Sequence, residues 1–288
     1  MEPRRFDVLL VGGGLAAVRC ARALRRGGLA ASIAIVGDEP VPPYNRPPLS
    51  KELLREQIPL ELVLAESRSW YERRGVELLL GTPATRLDPV ERLVELADGR
   101  RLRYGDCLLA TGAEPRRPAI PGAQDVLLLR TLAEAEALRD RARPGQRAVV
   151  IGGGFIGVEA AASLAARGLA VTVLERGRSL WGGSLGPAVS EWATRRLTAA
   201  GVELRFDATV SAVAADGVMV DGDRVGADIT LAGVGVRPLS GLAEGAGLEV
   251  ADGVLVDSGQ RVAPHLFAAG DVARPRDADR VEHWHAAR

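Results

Sequence analysis

The sequence predicts an α/β protein with two parallel-sheet domains, because one strand–turn–helix pattern occurs in it twice. The first copy reads Phe-Asp-Val-Leu-Leu-Val, then Gly12–Gly14, then a helix. The second copy reads Ala-Val-Val-Ile, then Gly152–Gly154, then another helix. The two glycine cores lie at a constant offset of 140 residues. A chain of 288 residues is also long enough for about two domains with sizeable cores.

The first glycine-rich turn has the spacing of a dinucleotide-binding fingerprint. Gly12 permits the tight turn, Gly14 leaves room for a pyrophosphate, and Ala17 lets the helix pack closely on the strand. The N-terminus of the helix offers free N–H groups and the positive end of its dipole to the phosphates. Asp38 follows the second strand at about the ~20-residue spacing of a ribose contact. This copy alone does not say which dinucleotide binds.

The second turn is a full G-x-G-x-x-G, formed by Gly152, Gly154 and Gly157, and Glu175 ends the strand that follows its helix. A carboxylate there accepts the ribose 2′-OH and repels a 2′-phosphate, so we expect NADH rather than NADPH. A charged hydrogen bond of roughly 1.5–3 kcal/mol corresponds to about ten- to a hundred-fold in affinity. Arg176 and Arg178 follow closely and weaken this choice.

The composition is that of an ordinary globular protein, with 47% hydrophobic and 26% charged residues. The formal net charge is zero, which argues against nucleic acid as a main partner. A local basic patch for an acidic protein stays open. Cys20 and Cys107 form no C-x-x-C motif, so we expect free buried thiols. The three histidines crowd near the end of the chain without further ligands, so no metal site is expected.

The N-terminus superficially resembles a signal peptide, because two arginines precede an apolar run. The dinucleotide fingerprint accounts for this run better. No stretch approaches about 18 consecutive apolar residues, so we expect no membrane span and a cytoplasmic location. The chain ends in mid-element without a turn or capping signal, and we expect it to be truncated.

Between the two turns, the pattern predicts a stiff proline-rich segment and then short strands. Four prolines between Pro42 and Pro48 exclude a helix or an inner strand there, and Ser50 can cap a helix that starts at Lys51. We predict the first helix at 15–26, strands at 76–80, 84–87, 93–96, 101–104 and 107–112, and a later helix near 188–199. A β-meander and strands at 229–236, 254–257 and 266–272 complete the prediction.

Five motifs in order resemble the two-dinucleotide flavoprotein disulfide reductase superfamily. They are the two glycine turns, Ala110-Thr111-Gly112, Ala269-Gly270-Asp271, and the segment from Pro43 to Lys51. The last segment looks like the ferredoxin-reductase branch, which includes putidaredoxin, rubredoxin and biphenyl-dioxygenase ferredoxin reductases, with apoptosis-inducing factor as a relative. The resemblance runs from the first strand to the last residue.

The resemblance implies two Rossmann-like domains, each a three-layer arrangement of parallel sheet, helices and β-meander. The FAD-binding domain would comprise residues 1–114 and 236–288. The NAD(H)-binding domain, residues 115–235, would be inserted in it. The C-terminal domain of the family would be absent.

The resemblance also implies roles for individual residues. Lys51 would lie near flavin N5 and pair with Glu159; these are the candidate catalytic residues. Asp271 would bond the ribityl chain, and Trp284 would lie against the flavin ring. The full FAD set is Gly12, Gly14, Ala16, Ala17, Asp38, Arg46, Lys51, Ala84, Ala110, Thr111, Gly112, Arg130, Gly270, Asp271 and Trp284. The full NAD set is Gly152, Gly154, Phe155, Ile156, Gly157, Glu159, Glu175 and Gly235.

The implied activity is an FAD-dependent NADH oxidoreductase that passes electrons singly to a small [2Fe–2S] ferredoxin or rubredoxin-like acceptor. Disulfide reduction is not expected, because the region from Pro47 to Arg55 lacks the redox cysteine pair and disulfide exchange requires a thiolate. Two alternatives stay open. One is an NADH oxidase or nitrite-reductase-type electron-input module, and the other is a redox-sensing flavoprotein of the apoptosis-inducing-factor kind. The oligomeric state is also open.

Overall fold

The computed structural model describes residues 2–276, and its contacts divide the chain into two compact units. Unit 1 combines Met1–Asn45 and Val63–Glu114 with the chain from Arg237 onward. Unit 2 combines Arg46–Leu62 with Pro115–Val236. Within residues 2–276, no helix is long and apolar enough to cross a membrane.

The strands within the described residues are, in chain order, β1 (Arg4–Val11), β2 (Ile33–Val36), β3 (Val76–Leu79), β4 (Ala84–Asp88), β5 (Leu93–Leu96), β6 (Arg101–Leu109), β7 (Ala113–Pro115), β8 (Arg147–Ile151), β9 (Ala170–Leu174), β10 (Glu203–Arg205), β11 (Val210–Ala214), β12 (Gly217–Val220), β13 (Asp223–Gly226), β14 (Ile229–Ala232), β15 (Val236–Pro238), β16 (Val254–Val256), β17 (Arg261–Ala263), β18 (Leu266–Ala268) and β19 (Ala273–Pro275). The α-helices are α1 (Leu15–Arg26), α2 (Arg68–Arg73), α3 (Leu132–Arg141), α4 (Phe155–Ala166), α5 (Pro187–Ala199) and α6 (Gly241–Gly245).

Unit 1 is built on a sheet in the order β17-β18-β6-β1-β2-β3, and its strands from β18 to β3 are parallel. The antiparallel strands β4 and β5 extend it from β6. Successive residues of β1 face opposite sides, so Leu9 and Leu10 are both fully buried but belong to different apolar clusters. The buried face of α1, with Ala17, covers one side. This layering explains why the strands read as continuous apolar runs.

Unit 2 repeats this plan with the parallel order β10-β9-β8-β14 and a separate antiparallel meander, β11-β12-β13. The meander packs its Val218 against Val149 and Ile151 of β8. Before the sheet, α3 begins with a complete capping box, in which Thr131 and Glu134 satisfy each other's backbone N–H groups. The two Rossmann-like units predicted from the sequence are confirmed.

The repeat is exact around the turns: β1 and β8 end, and α1 and α4 begin and end, at the same offset of 140 residues. The hydrogen bonds repeat as well. Gly12 N–H donates to Val36 O at 2.8 Å, and Gly152 N–H donates to Leu174 O at 2.8 Å. The last residues of β2 and β9 are therefore equivalent, which provides a structural register for comparing the two sites.

Two predicted strands, 101–104 and 107–112, form the single strand β6, which ends at Leu109. Gly105 does not interrupt it. A Cβ at Gly105 would lie only 2.6 Å from Asp7 O on β1, so glycine is required there by the close approach of the two strands. The prediction of two strands was wrong because a glycine that permits contact resembles, in sequence, a glycine that breaks a strand.

The helix predicted from Lys51 is also absent. The chain forms a 3₁₀ helix at Pro47–Ser50 followed by turns to Glu56. Ser50 does not cap a helix; its hydroxyl donates to Glu159 of α4 instead. Tertiary hydrogen bonds have replaced the local cap. Residues 46–62 group with unit 2, whereas the sequence prediction assigned them to the first domain.

Arg147 and Asp228 tie the starts of β8 and β14 together. Arg147 N–H and Nη2 donate to the Asp228 carboxylate at 2.8 and 2.7 Å. These hydrogen bonds lower the pKa of Asp228 from its ordinary 3.8 to about 2. A lowered folded-state pKa means that the stabilisation is complete above about pH 4 and is lost as the pH falls through about 2.

We therefore predict that Asp228→Asn destabilises the protein at pH 7, but that the difference from wild type shrinks progressively below about pH 4. Urea unfolding of both proteins at pH 7, 4 and 2.5 measures this. Asp223→Asn, which alters an exposed carboxylate of the meander, serves as the control. A difference in the free energy of unfolding that stays constant down to pH 2.5 would contradict the stabilising role of the ionised Asp228 carboxylate.

Candidate dinucleotide-binding sites

The candidate site of unit 1 lies where four parallel strands end in register. Val11 of β1 pairs with Val36 of β2 and with Leu109 of β6, and Leu109 pairs with Ala268 of β18. The predicted residues come directly after these ends. They are Gly12 and Gly14 after β1, Asp38 after β2, Ala110, Thr111 and Gly112 after β6, and Gly270 and Asp271 after β18. This edge is where ligands bind in open α/β sheets.

The packing of the protein itself requires glycine at position 12. Its φ is +126°, and a Cβ there would lie 2.0 Å from the carbonyl oxygen of Ala110, the residue that follows β6. The neighbouring strand thus forbids any side chain, and the tight turn follows.

Gly14 is different, because no atom of the described protein explains the missing side chain. Its φ of −95° suits any residue, and a Cβ there would meet nothing within 4 Å. It is the N-cap of α1, and no side chain caps that helix end. The first N–H groups of α1 therefore face a space that can hold a phosphate group.

The other unit 1 residues surround this turn. Asp38 is exposed, and its Oδ1 accepts a hydrogen bond from Glu39 N–H at 3.0 Å. Thr111 Oγ1 donates to Leu239 O at 2.8 Å, which anchors the end of β6. A Cβ at Gly270 would lie 3.1 Å from the Cβ of Ala16 on α1, so glycine allows this close approach. Ala17 is fully buried and packs α1 on the sheet.

Further members of the FAD set fix neighbouring loops. Gly112 has a φ of +74°, and its carbonyl accepts from Leu239 N–H at 2.9 Å. Ala84 begins β4, two residues after Thr82, whose N–H donates to Gly37 O beside Asp38. The loop before Ala84 is therefore joined to the loop that carries the acid.

The candidate site of unit 2 has the same construction at the ends of β8, β9 and β14. Gly152 has a φ of +103°, and a Cβ there would lie 2.5 Å from Gly233 O. A Cβ at Gly157 would lie 2.0 Å from Gly152 O, so the third glycine lets α4 approach its strand. Gly154 is the N-cap of α4, again without a side-chain cap. Gly235, at φ +97°, lies just beyond β14.

Glu175 is held against the glycine turn. Its carboxylate accepts N–H groups from Gly153 and Gly177, both at 2.6 Å. The two bonds orient the group beside the turn and leave lone pairs for hydroxyl donors. By the shared register, Glu175 is equivalent to Gly37 rather than to Asp38, because each follows the last residue of its strand directly. The two acids predicted from the sequence are therefore not equivalent.

Two apolar side chains beside the second turn are exposed. Phe155 and Ile156, the first residues of α4, are 53% and 38% exposed. The ring of Phe155 lies 5.9 Å from that of Trp181. A flat, apolar surface of this kind next to a phosphate-binding turn suits a nucleotide ring.

Lys51 and Glu159 form the ion pair that the resemblance implied, at 2.6 Å between Nζ and Oε2. Both residues belong to unit 2. Ser50 Oγ donates to the same Oε2 at 2.5 Å. Ser50 was not among the site residues predicted from the sequence, although it directly precedes Lys51 in the chain. Glu159 thus has two partners from one turn.

Arg46 and Arg130, expected in the FAD set, also lie in unit 2, where an Arg46 N–H group donates to Arg130 O. Trp284 lies outside the described residues. The two thiols are unsuited to redox exchange, because burial raises the pKa of both Cys20 and Cys107. No group of metal-ligating side chains was found within residues 2–276.

Two glycine-rich turns, each at the carboxyl edge of its own parallel sheet, define a protein with two dinucleotide-binding units. The sequence model for pyridine nucleotide-disulphide oxidoreductases matches residues 6–288. The chain belongs to the pyridine nucleotide-disulphide oxidoreductase family.

Relatives with stated functions fall in the predicted branch. The ferredoxin–NAD(+) reductase component of the biphenyl dioxygenase system from Paraburkholderia xenovorans is 38% identical over 274 residues, which cover 92% of this chain and 67% of the relative. The crystal structure of the ferredoxin reductase for the CYP199A2 system from Rhodopseudomonas palustris matches with a TM-score of 0.90 and 35% identity, covering 93% of this chain and 68% of that one. The covalent putidaredoxin reductase–putidaredoxin complex matches with a TM-score of 0.92 and 33% identity, covering 99% and 72%.

Family membership and the NAD(+)-dependent relatives imply FAD and NADH as cofactors. The residues fit such ligands. Gly14 leaves a space that the protein does not fill, α1 and α4 lack side-chain caps, and a carboxylate follows the second strand in both units.

We predict that Gly14→Asp abolishes flavin retention without destabilising the apoprotein. Aspartate is a better N-cap than glycine by a few tenths of a kcal/mol, but its charge repels a pyrophosphate. The purified variant should lose at least tenfold in bound flavin, measured by visible absorption, with urea unfolding of the apoprotein unchanged.

Gly14→Asn is the matched control, because it has similar size and capping strength but no charge. It should retain more flavin than Gly14→Asp. Equal, full flavin content in both variants would show that Gly14 does not face the cofactor.

Proposed function

We propose that this chain oxidises NADH, takes the hydride onto FAD, and passes electrons one at a time to a ferredoxin-type iron–sulfur protein. The observation that carries the proposal is the presence of two glycine-rich turns whose carboxylates are placed differently. Asp38 lies on an exposed loop beside the first turn, and Glu175 is held against the second turn by hydrogen bonds. When bound, FAD supplies the conversion between two-electron and one-electron chemistry. The protein binds and orients the two cofactors and tunes the redox potential of the flavin.

Unit 1 binds FAD as a resident cofactor in this proposal, with Gly12, Gly14 and Asp38 at the pyrophosphate and ribose. Unit 2 binds NADH, with Gly152–Gly157 at the pyrophosphate and Glu175 at the adenosine ribose. The bonds from Gly153 and Gly177 support this, because they hold the Glu175 carboxylate in place before the ligand arrives. Its negative charge opposes a 2′-phosphate.

Lys51 and Glu159 act beside the flavin in this proposal. A cation near N5 stabilises negative charge on the reduced ring and so favours hydride acceptance. Support comes from the resemblance and from the ion pair itself, in which Lys51 Nζ lies 2.6 Å from Glu159 Oε2. No acid or base is needed for the hydride step.

The proposed acceptor is a [2Fe–2S] ferredoxin. The relatives named as ferredoxin reductases and the putidaredoxin complex support this choice. The raised pKa values of the two thiols disfavour a route through cysteine. A cytoplasmic location stays a prediction.

An anaerobic titration followed at the flavin absorption bands tests the nucleotide assignment. NADH should bleach the flavin, and NADPH should bind about ten- to a hundred-fold more weakly. Glu175→Gln should weaken NADH binding by about the same factor and so reduce the preference for NADH over NADPH.

Glu191→Gln, which replaces an exposed carboxylate on α5, is the matched control. It should leave the dissociation constants for NADH and NADPH unchanged. Unaltered NADH binding in Glu175→Gln would remove the proposed ribose contact. Bleaching by neither nucleotide would remove the proposed function.

The acceptor is tested by NADH-driven cytochrome c reduction with and without an added putidaredoxin-type [2Fe–2S] ferredoxin. The ferredoxin should increase the rate at least tenfold, because it carries the single electrons. Equal rates without it, with rapid oxygen consumption, would instead favour an NADH oxidase.

A further inference from the structure

Glu159 Oε2 receives two donors from consecutive residues. Lys51 Nζ lies at 2.6 Å and Ser50 Oγ at 2.5 Å from this one oxygen. The donors differ in freedom. Ser50 is 2% exposed, whereas the Lys51 side chain is 34% exposed and ends a long flexible stem. The hydroxyl is therefore the fixed partner of the carboxylate.

The turn that carries Ser50 is itself attached to α4. Ser163 Oγ donates to Ser50 O at 2.7 Å, and Ser163 lies four residues after Glu159, on the same face of the helix. Arg167, one further turn along, donates to Leu54 O at 3.0 Å. These bonds hold the backbone of the turn, so that the Ser50 hydroxyl reaches Glu159 from a rigid base.

We propose that Ser50 is a positioning residue for hydride transfer: its hydroxyl fixes the Glu159 carboxylate and thereby the place of the Lys51 ammonium. This inference rests on the proposed function. A hydroxyl bond to a carboxylate is charge-assisted and directional. Without it, the carboxylate keeps only the lysine as a partner from this turn. The ammonium then keeps Pro47 O, at 3.2 Å, and a carboxylate that is free to move.

The chain offers a direct probe, because Lys51 is its only lysine. Protein labelled with ¹³Cε-lysine gives one lysine signal, which reports the ion pair whether or not flavin is bound. Ser50→Ala should shift and sharpen this signal, and Glu159→Gln should do the same. In flavin-loaded protein, Ser50→Ala should slow flavin reduction by saturating NADH about tenfold.

A double-mutant cycle with Glu159→Gln separates positioning from general damage. If Ser50 acts through Glu159, adding Ser50→Ala to Glu159→Gln should leave the lysine signal where Glu159→Gln alone puts it. The rate of flavin reduction should then change by no more than about twofold. Ser50→Thr, which keeps the hydroxyl, should restore the wild-type signal.

Ser190→Ala is the matched control, because Ser190 is also a buried serine of unit 2, with its hydroxyl bonded to a backbone carbonyl. It should leave the lysine signal and the rate unchanged. Additive effects in the cycle, or an unchanged lysine signal in Ser50→Ala, would overturn the inference. If wild type is not reduced by NADH at all, the proposed function fails, and the lysine signals still decide whether Ser50 positions the ion pair.

Discussion

The structure depends on one steric constraint, which operates once in each unit. At the carboxyl edge of the sheet, the residue after the first strand lies so close to the carbonyl oxygen of the residue after another strand that no Cβ fits. Gly12 meets Ala110 O in this way, and Gly152 meets Gly233 O. The chain must turn there with positive φ, and the helix begins three residues later with its N–H groups uncapped. The phosphate-binding geometry is thus a consequence of strand packing.

The two units use this common turn differently. In unit 2, Glu175 follows its strand directly and folds back onto the turn, where Gly153 and Gly177 hold it. In unit 1 the equivalent position is Gly37, whose Cα lies 3.4 Å from a Cβ built at Gly13, and the acid comes one residue later on an exposed loop. One fold therefore presents a carboxylate in two positions, which suits two ligands held in different ways.

The segment from Pro47 to Glu56 shows how tertiary contacts override local sequence. Its serine has the position of a helix cap, yet the hydroxyl bonds a carboxylate on α4. A partly exposed ion pair such as Lys51 with Glu159 contributes little to stability, so its value lies in placing charge. The buried hydroxyl and the backbone bonds to Ser163 and Arg167 supply the rigidity that the two long side chains lack.

The sequence by itself determined the two Rossmann-like units, the bounds of α1, the glycine turns and the family, because these depend on local periodicity and on residues that tolerate positive φ. It also indicated Lys51 and Glu159 through the resemblance. Only the tertiary structure decided that Gly105 lies inside one strand, that Ser50 bonds Glu159 rather than capping a helix, and that Glu175 corresponds to Gly37. Each of these depends on an atom more than twenty residues away in the chain, and no local pattern carries that information.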